Sequence, residues 1–284
     1  MELGKPSRTA LSAAMHRAAH QLLEGGGVFA DPLAVRILGA SPREIAGGAA
    51  ADRTRGVMRL FIAVRTRFAE DALAKAVEGG VEQLVILGAG LDTFAYRSPF
   101  RESLRIFEVD HPATQEWKRH RLAEAGIAAP SWLTFAPVNF ETQSLAQGLS
   151  AAGFDEGRQT FFTWLGVVPY LTEDAIFTTL RTIAGISGGA RVVFDYSDPP
   201  ESLSAEARAY YERRAAHVES LNEPWVSSFE PEELHGRLKA LGFSEMEDLG
   251  PREIRRRYFP DAPGAARERG GHVLFAANRR QAMD

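Results

Sequence analysis

The order of apolar and polar residues divides the chain into a helical amino-terminal part and a longer part rich in strands. Within residues 53–77, apolar side chains recur every three or four positions, which predicts an amphipathic helix. An Ala-rich segment, residues 8–24, comes earlier and ends at consecutive glycines, a typical helix stop. Residues 1–80 are therefore predicted to form a helical cap.

From Val81 onward, short apolar runs alternate with segments of helical periodicity. The predicted strands are residues 83–87, 105–109, 133–138, 160–165 and 191–196, and the helices between them are residues 112–125, 141–152 and 173–184. Two further helices, 201–220 and 231–241, precede strands near 244–249 and at 272–277. Strands and helices that alternate in this way form a parallel sheet covered on both faces. The prediction is an α/β domain at residues 81–284 with a helical lid at about 199–230.

Composition excludes several classes of function. The chain has 284 residues, of which 45% are hydrophobic and 25% charged, as in an ordinary globular protein. A net charge of −4 argues against a nucleic-acid partner, and the lack of cysteine excludes disulfides and thiolate chemistry. No apolar run approaches the ~20 residues of a membrane span, and residues 1–14 lack a signal-peptide core. We predict a cytoplasmic protein with no membrane partner, and a solvated helix face for the four arginines within residues 252–257.

A glycine-rich turn follows the first predicted strand and consists of Gly88, Ala89 and Gly90. The second predicted strand ends with the carboxylate of Asp110. In α/β sheets, this combination binds a nucleoside-bearing cofactor. Thr93 replaces the third glycine of a dinucleotide-binding turn, and Asp92 would repel a pyrophosphate. The turn therefore favours a phosphate-free, positively charged cofactor such as S-adenosylmethionine over NAD.

Three segments together resemble the leucine carboxyl methyltransferase family, and more closely its bacterial branch of S-adenosylmethionine-dependent O-methyltransferases. They are residues 87–93 (LGAGLDT), 107–112 (FEVDHP) and 64–68 (VRTRF), and the similarity extends from about residue 8 to residue 278. The resemblance implies a class I methyltransferase fold. This Rossmann-like sheet has seven mostly parallel strands with an antiparallel last strand, a helical amino-terminal extension and a helical insertion after the fifth strand.

The resemblance also implies positions for the parts of the cofactor. The turn of Gly88, Ala89 and Gly90 would contact its methionine part, and Asp110 would hold the ribose hydroxyls. Asp92 is a further predicted cofactor contact. Glu108 shares the strand face of Asp110 and either assists it or is solvated at the strand end. Asn139 and Phe140 would contact the adenine, and Asn139 could also cap the following helix.

Arginine is the natural partner of the cofactor carboxylate, because its forked guanidinium group can form a hydrogen bond with each of the two oxygens. Arg65 and Arg67 lie on the helix from which the family supplies this group, and a surface ion pair is the alternative for each. They point to different sides of that helix, so at most one faces the site, and Arg65 is favoured. Trp164 and Leu165 lie at the end of the predicted fourth strand and would contact the cofactor, with Leu165 where many members carry a glutamate. Tyr170 would orient the substrate, or else pack at a helix start.

The predicted activity is O-methylation of a small-molecule carboxylate or hydroxyl in secondary metabolism, with S-adenosylhomocysteine as product and no metal. A carboxylate acceptor is ionised at neutral pH and needs no base, whereas a hydroxyl would need one. None of the histidines has a partner acid at convincing spacing, which mildly favours a carboxylate. The alternatives are a protein C-terminal carboxyl methyltransferase, a non-catalytic cofactor-binding protein and an NAD-dependent oxidoreductase.

Overall fold

A seven-stranded mixed sheet forms the centre of the protein. The computed structural model describes residues 7–50, 55–139, 142–264 and 267–278. The strands are β1 (Gln83–Leu87), β2 (Arg105–Asp110), β3 (Leu133–Pro137), β4 (Thr160–Trp164), β5 (Ala190–Ser197), β6 (Glu245–Leu249) and β7 (Gly271–Ala277). They are ordered β3-β2-β1-β4-β5-β7-β6, and only β7 runs antiparallel to its neighbours. This is the sheet of class I methyltransferases, as the resemblance implied.

Helices cover both faces of the sheet. Within the described residues they are α1 (Arg8–Leu23), α2 (Ala34–Leu38), α3 (Pro42–Ala50), α4 (Arg55–Glu78), α5 (Phe94–Arg97), α6 (Pro112–Glu124), α7 (Leu145–Ala151), α8 (Glu173–Ala184), α9 (Ala205–Glu219), α10 (Pro231–Ala240) and α11 (Pro251–Tyr258). None of these helices has the length and apolar character that a bilayer crossing requires. The first four precede the sheet, and α1 packs on α2, α3 and α4. The division into a cap and a sheet domain stays a prediction.

The central strands of the sheet send alternate side chains into two separate cores. In β1, Val85 and Leu87 belong to the core beneath α7 and α8, and Leu84 and Ile86 belong to the core beneath α4. All five residues of β1 are buried, because a central parallel strand is covered on both faces. The same alternation in β2 places Glu108 and Asp110 on the α4 side.

Several boundaries differ from the sequence prediction. Helix α7 begins at Leu145 and not at residue 141, because Ser144 caps it and Gln147 completes a capping box. The capping role considered for Asn139 is therefore wrong. The lid, residues 199–230, starts with a short 3₁₀ turn at Pro200–Ser202 before α9.

The end of the lid is anchored to the loops that follow β4 and β5. The backbone N–H of Val226 donates to the carbonyl of Pro169 at 2.7 Å. The N–H of Phe229 donates to the carbonyl of Ser197 at 3.0 Å, and the Phe229 ring is buried. These contacts fix the lid against the carboxyl ends of the central strands.

Candidate functional site

A cavity of about 890 Å³ lies at the carboxyl ends of β1, β4 and β5. Its walls come from α1, α4, α11, the lid and the loops that follow these strands. The volume is near the upper end of the range for small-molecule sites. Ligands of open α/β sheets bind at this edge, so the cavity is the candidate site.

The glycine turn forms one wall of the cavity. The N–H groups of Gly88 and Ala89 donate to the carbonyl of Val109 at 2.9 and 3.1 Å, which ties the turn to β2. Gly88 has a φ of 65°, and a Cβ at this position would overlap Val167. A glycine is therefore required here for both its conformation and its small size.

Asp110 connects the glycine turn with the end of β2. Its Oδ2 accepts a hydrogen bond from the N–H of Gly90 at 2.6 Å, and its Oδ1 accepts one from the N–H of His111 at 2.7 Å. Burial raises the pKa of Asp110, and these two hydrogen bonds oppose the rise. Asp92 also lines the cavity and accepts from the N–H of Phe94 at 2.7 Å. The two sequence motifs thus meet in one wall.

Glu108 does not take part in the cavity. Its side chain is buried beneath the sheet, where an oxygen lies 2.7 Å from Nζ of the equally buried Lys118. Burial raises the pKa of Glu108 to about 7, although Lys118 lowers it. Both earlier interpretations of Glu108, as an aid to ribose binding and as a solvated strand end, are wrong. The reason is that α6 covers this face of β2.

The two candidate arginines of α4 point in different directions. Arg65 is buried and lines the cavity, with Nη1 2.8 Å from Oδ2 of Asp195. Oδ1 of Asp195 accepts a hydrogen bond from the N–H of Gly166 at 2.5 Å. Arg67 is exposed outside the cavity and pairs with Asp71 at 2.9 Å. The prediction of Arg67 as a cofactor ligand is therefore wrong, because its side chain extends into solvent.

The residues at the end of β4 and just after it face different parts of the structure. Leu165 and Tyr170 line the cavity, whereas Trp164 is 3% exposed and packs against Phe194 in the core on the opposite face. The prediction of Trp164 as a cofactor contact is wrong, because consecutive strand residues face opposite sides of a sheet. Burial raises the pKa of Tyr170, so its phenol stays protonated at neutral pH.

The predicted adenine contacts lie apart from the cavity lining or outside the described residues. Asn139 is half-buried in a turn, where its carbonyl accepts hydrogen bonds from the N–H groups of Thr142 and Gln143. It does not line the cavity, and its contact with adenine stays a prediction. Phe140 lies outside the described residues.

Glu223, which sequence analysis missed, joins the lid to the amino end of α1. It accepts hydrogen bonds from the N–H groups of Arg8 and Thr9 at 3.0 and 3.1 Å, from the hydroxyl of Ser7 at 3.1 Å and from the hydroxyl of Thr9. Ser7, Thr9 and Glu223 all line the cavity. This contact closes the cavity where the two segments meet.

Sequence analysis also missed four further arginines that line the cavity, which are Arg214, Arg255, Arg267 and Arg269. They come from α9, α11 and the segment before β7, far along the chain from the glycine turn. The interpretation of residues 252–257 as a solvated face does not hold for Arg255. No local pattern distinguishes these arginines from the others on the same helices.

Comparison with known proteins agrees with this geometry. Residues 10–184 match the family model described as leucine carboxyl methyltransferase. A protein of Streptomyces coelicolor named "Putative S-adenosyl-L-methionine-dependent methyltransferase SCO7813" is 33% identical over 243 residues, which are 83% of this chain and 82% of that protein. A protein of Bacillus subtilis named "Putative S-adenosyl-L-methionine-dependent methyltransferase YktD" is 34% identical over 197 residues. That match covers 69% of this chain and 64% of the Bacillus protein, so it spans just under two thirds of that relative.

A solved structure supports the fold alone. It is a DUF574 family protein from Streptomyces avermitilis, with a TM-score of 0.54 at 16% sequence identity, covering 93% of this chain and 97% of that one. The family match spans more than half of the chain and includes the glycine turn, Asp110 and α4. This chain therefore belongs to the leucine carboxyl methyltransferase family.

Proposed function

We propose that this chain binds S-adenosylmethionine and transfers its methyl group to an oxygen of a small-molecule carboxylate or hydroxyl. The observation that carries the proposal is the contact between the Gly90 N–H and the Asp110 carboxylate, which brings the two nucleoside-binding motifs to one cavity. The names of the Bacillus and Streptomyces relatives support the same methyl donor. A role in secondary metabolism stays a prediction.

The lining residues fit this cofactor. Gly88 leaves the turn open for close approach of a ligand, and the Asp110 carboxylate can accept hydrogen bonds from ribose hydroxyls. The Arg65 guanidinium lies in the same cavity and can bind a carboxylate through its fork. When bound, S-adenosylmethionine supplies an electrophilic methyl group on a positive sulfonium. The chain would bind and orient both partners and exclude water, which are the main contributions to such a displacement.

The acids of the cavity are poorly suited to act as a general base. Among the described residues, the carboxylates that line it are Asp92, Asp110, Asp195 and Glu223, and each already accepts hydrogen bonds. A carboxylate acceptor is ionised at neutral pH and needs no proton removed. A hydroxyl acceptor would need a base to remove its proton. His16 and His217 also line the cavity, so the acids by themselves do not decide between the two acceptors.

Methylation of a protein C-terminal carboxylate is the second candidate, and the family name supports it. The contact of Glu223 with α1 favours a small-molecule acceptor over a protein C-terminus. An extended peptide that entered between α1 and the lid would have to break the hydrogen bonds of Glu223 to Arg8 and Thr9. Fold and family by themselves do not determine the acceptor.

Calorimetry with S-adenosylhomocysteine tests the proposed cofactor. We expect the chain to bind this product and Asp110→Asn to weaken binding about tenfold to hundredfold, because a charge-assisted hydrogen bond contributes about 1.5–3 kcal/mol. Asp174→Asn, on the exposed first turn of α8, is the matched control and leaves binding unchanged. Absence of binding at millimolar ligand, or equal binding by Asp110→Asn, would refute the proposal. A rise in melting temperature with NADH instead would favour the oxidoreductase alternative.

A further inference from the structure

Arg214 lies on the lid helix α9 and extends its side chain into the wall of the cavity. The side chain is half-buried, and its Nε is buried without a hydrogen-bond partner. Within the part of the chain that the structure describes, no carboxylate pairs with Arg214 and no carbonyl accepts a hydrogen bond from it. A buried donor that lacks an acceptor is costly, and a bound ligand can supply the missing acceptor.

Arg17 and Arg65 also have a buried Nε without a hydrogen-bond partner, but each of the other cavity arginines differs from Arg214 in having at least one partner among the described residues. Arg65 pairs with Asp195, Arg269 pairs with Asp198 and Glu230, and the remaining partners are Leu91 and Asp31 for Arg17, Ala262 for Arg255 and Glu206 for Arg267. The acids of the cavity are likewise engaged elsewhere. Among the described residues, Arg214 is therefore the cavity arginine that neither an ion pair nor a hydrogen bond engages.

Part of the lining of the same cavity is aromatic and apolar. The rings of Tyr211 and Trp225, both from the lid, lie with their centroids 5.2 Å apart and line the cavity. Phe61 and Val57 of α4 line it as well, and Val57 is 46% exposed. Burial raises the pKa of Tyr211, so its ring stays uncharged. A ligand that matches this surface has a flat apolar body and a negative group.

We infer that Arg214 binds the anionic group of the methyl acceptor, and that the acceptor is an aromatic or similarly flat carboxylate. The inference rests on the proposed function and specifies its acceptor. The guanidinium fork can bond both oxygens of one carboxylate, while the rings of Tyr211 and Trp225 contact the apolar body. Arg214 would thus determine which acceptors bind, and it would leave the cofactor untouched.

Binding of 2-naphthoate, compared with its neutral relative 2-naphthol, tests this inference. The titrations are carried out with saturating S-adenosylhomocysteine. We expect the wild-type chain to bind 2-naphthoate about tenfold to hundredfold more tightly than 2-naphthol, the range that a charge-assisted hydrogen bond contributes. Arg214→Gln should lose this preference, and Arg214→Lys should keep part of it because the charge remains without the fork.

Arg213→Gln is the matched control, because Arg213 is the exposed neighbour on the same helix. It should bind both probes as the wild type does, and all variants should bind S-adenosylhomocysteine with unchanged affinity. Failure to bind 2-naphthoate, equal binding of both probes by the wild type, or an unchanged preference in Arg214→Gln would overturn the inference. Failure of the wild type to bind S-adenosylhomocysteine would instead overturn the proposed function.

Discussion

Replacement of His272 by glutamine should remove most of the loss of stability that deprotonation of the His272 ring causes as the pH rises from 6 to 9.5. His272 is 7% exposed, its ring stacks on Tyr196 with centroids 4.7 Å apart, and its two nitrogens lie between two acids. Nε2 is 3.3 Å from Asp198 and Nδ1 is 3.1 Å from Asp248. Burial by itself lowers the pKa of His272, but the two acids overcome this effect and raise the pKa to about 9.

The raised pKa of His272 determines both the size of its contribution to the unfolding free energy and the direction in which that contribution changes with pH. A histidine whose pKa rises from 6.5 to about 9 on folding adds about 3 kcal/mol to the unfolding free energy, at about 1.4 kcal/mol per pH unit. The contribution is complete below pH 6.5 and is lost as the pH rises through 9. The pKa values of Asp198 and Asp248 are lowered from 3.8, so their contribution is present above that pH and is lost in acid. The network is therefore most stabilising between about pH 4 and pH 6.5.

Urea unfolding at pH 6 and at pH 9.5 measures this effect. Between these two pH values, the wild type should lose about 2–3 kcal/mol more unfolding free energy than His272→Gln. Subtraction of the variant removes the contributions of other titrating groups, such as Glu108, which both proteins share. His120→Gln is the control, because His120 is exposed on α6, and it should behave as the wild type does. Equal losses in the wild type and His272→Gln would refute the reasoning.

Two further substitutions test the walls of the cavity. Gly88→Ala and Gly25→Ala both place alanine at a φ near 60°, which costs about 1–2 kcal/mol, but a Cβ would meet an obstacle only at Gly88. We expect only Gly88→Ala to weaken S-adenosylhomocysteine binding in calorimetry, about tenfold, and equal binding by both variants would contradict this. Glu223→Gln should speed tryptic cleavage at the amino end of α1 about tenfold, because charged acceptors hold that end. Glu219→Gln, exposed on α9, should show the wild-type rate, and unchanged cleavage of Glu223→Gln would argue against the contact.

Strands β1, β2 and β4 were predictable because each is a short, mostly apolar run that stops near a glycine or an acid. Strand β1 has the predicted bounds, since both faces of a central strand require apolar residues. Helix α7 was placed four residues too early, because the polar residues before Ser144 resemble a first helical turn. A cap depends on backbone conformation, which the pattern of residue types does not contain.

The cavity wall at the ends of β1 and β2 was more predictable than the wall that the lid and α11 form. Gly88, Gly90 and Asp110 lie at strand ends, and parallel strands bring such ends to one edge whatever the rest of the chain does. Trp164 was wrongly predicted to contact the cofactor, because side chains one residue apart along a strand point to opposite faces of the sheet. No sequence pattern identified Glu223 as a residue of the site, since its partners at the amino end of α1 lie more than 200 residues away in the chain.

Arg213 and Arg214 show why the cavity wall that the lid forms could not be predicted. They are identical in residue type and adjacent in sequence, yet Arg213 is exposed and Arg214 lines the cavity. Successive helix residues differ by about 100° in direction, so the rotation of α9 about its own axis decides which one meets a ligand. That rotation depends on where Ala207 and Val218 are buried, and the apolar spacing of this polar helix is too sparse to determine it. The paired variants Arg213→Gln and Arg214→Gln therefore test the orientation of the lid and the chemistry of the acceptor together.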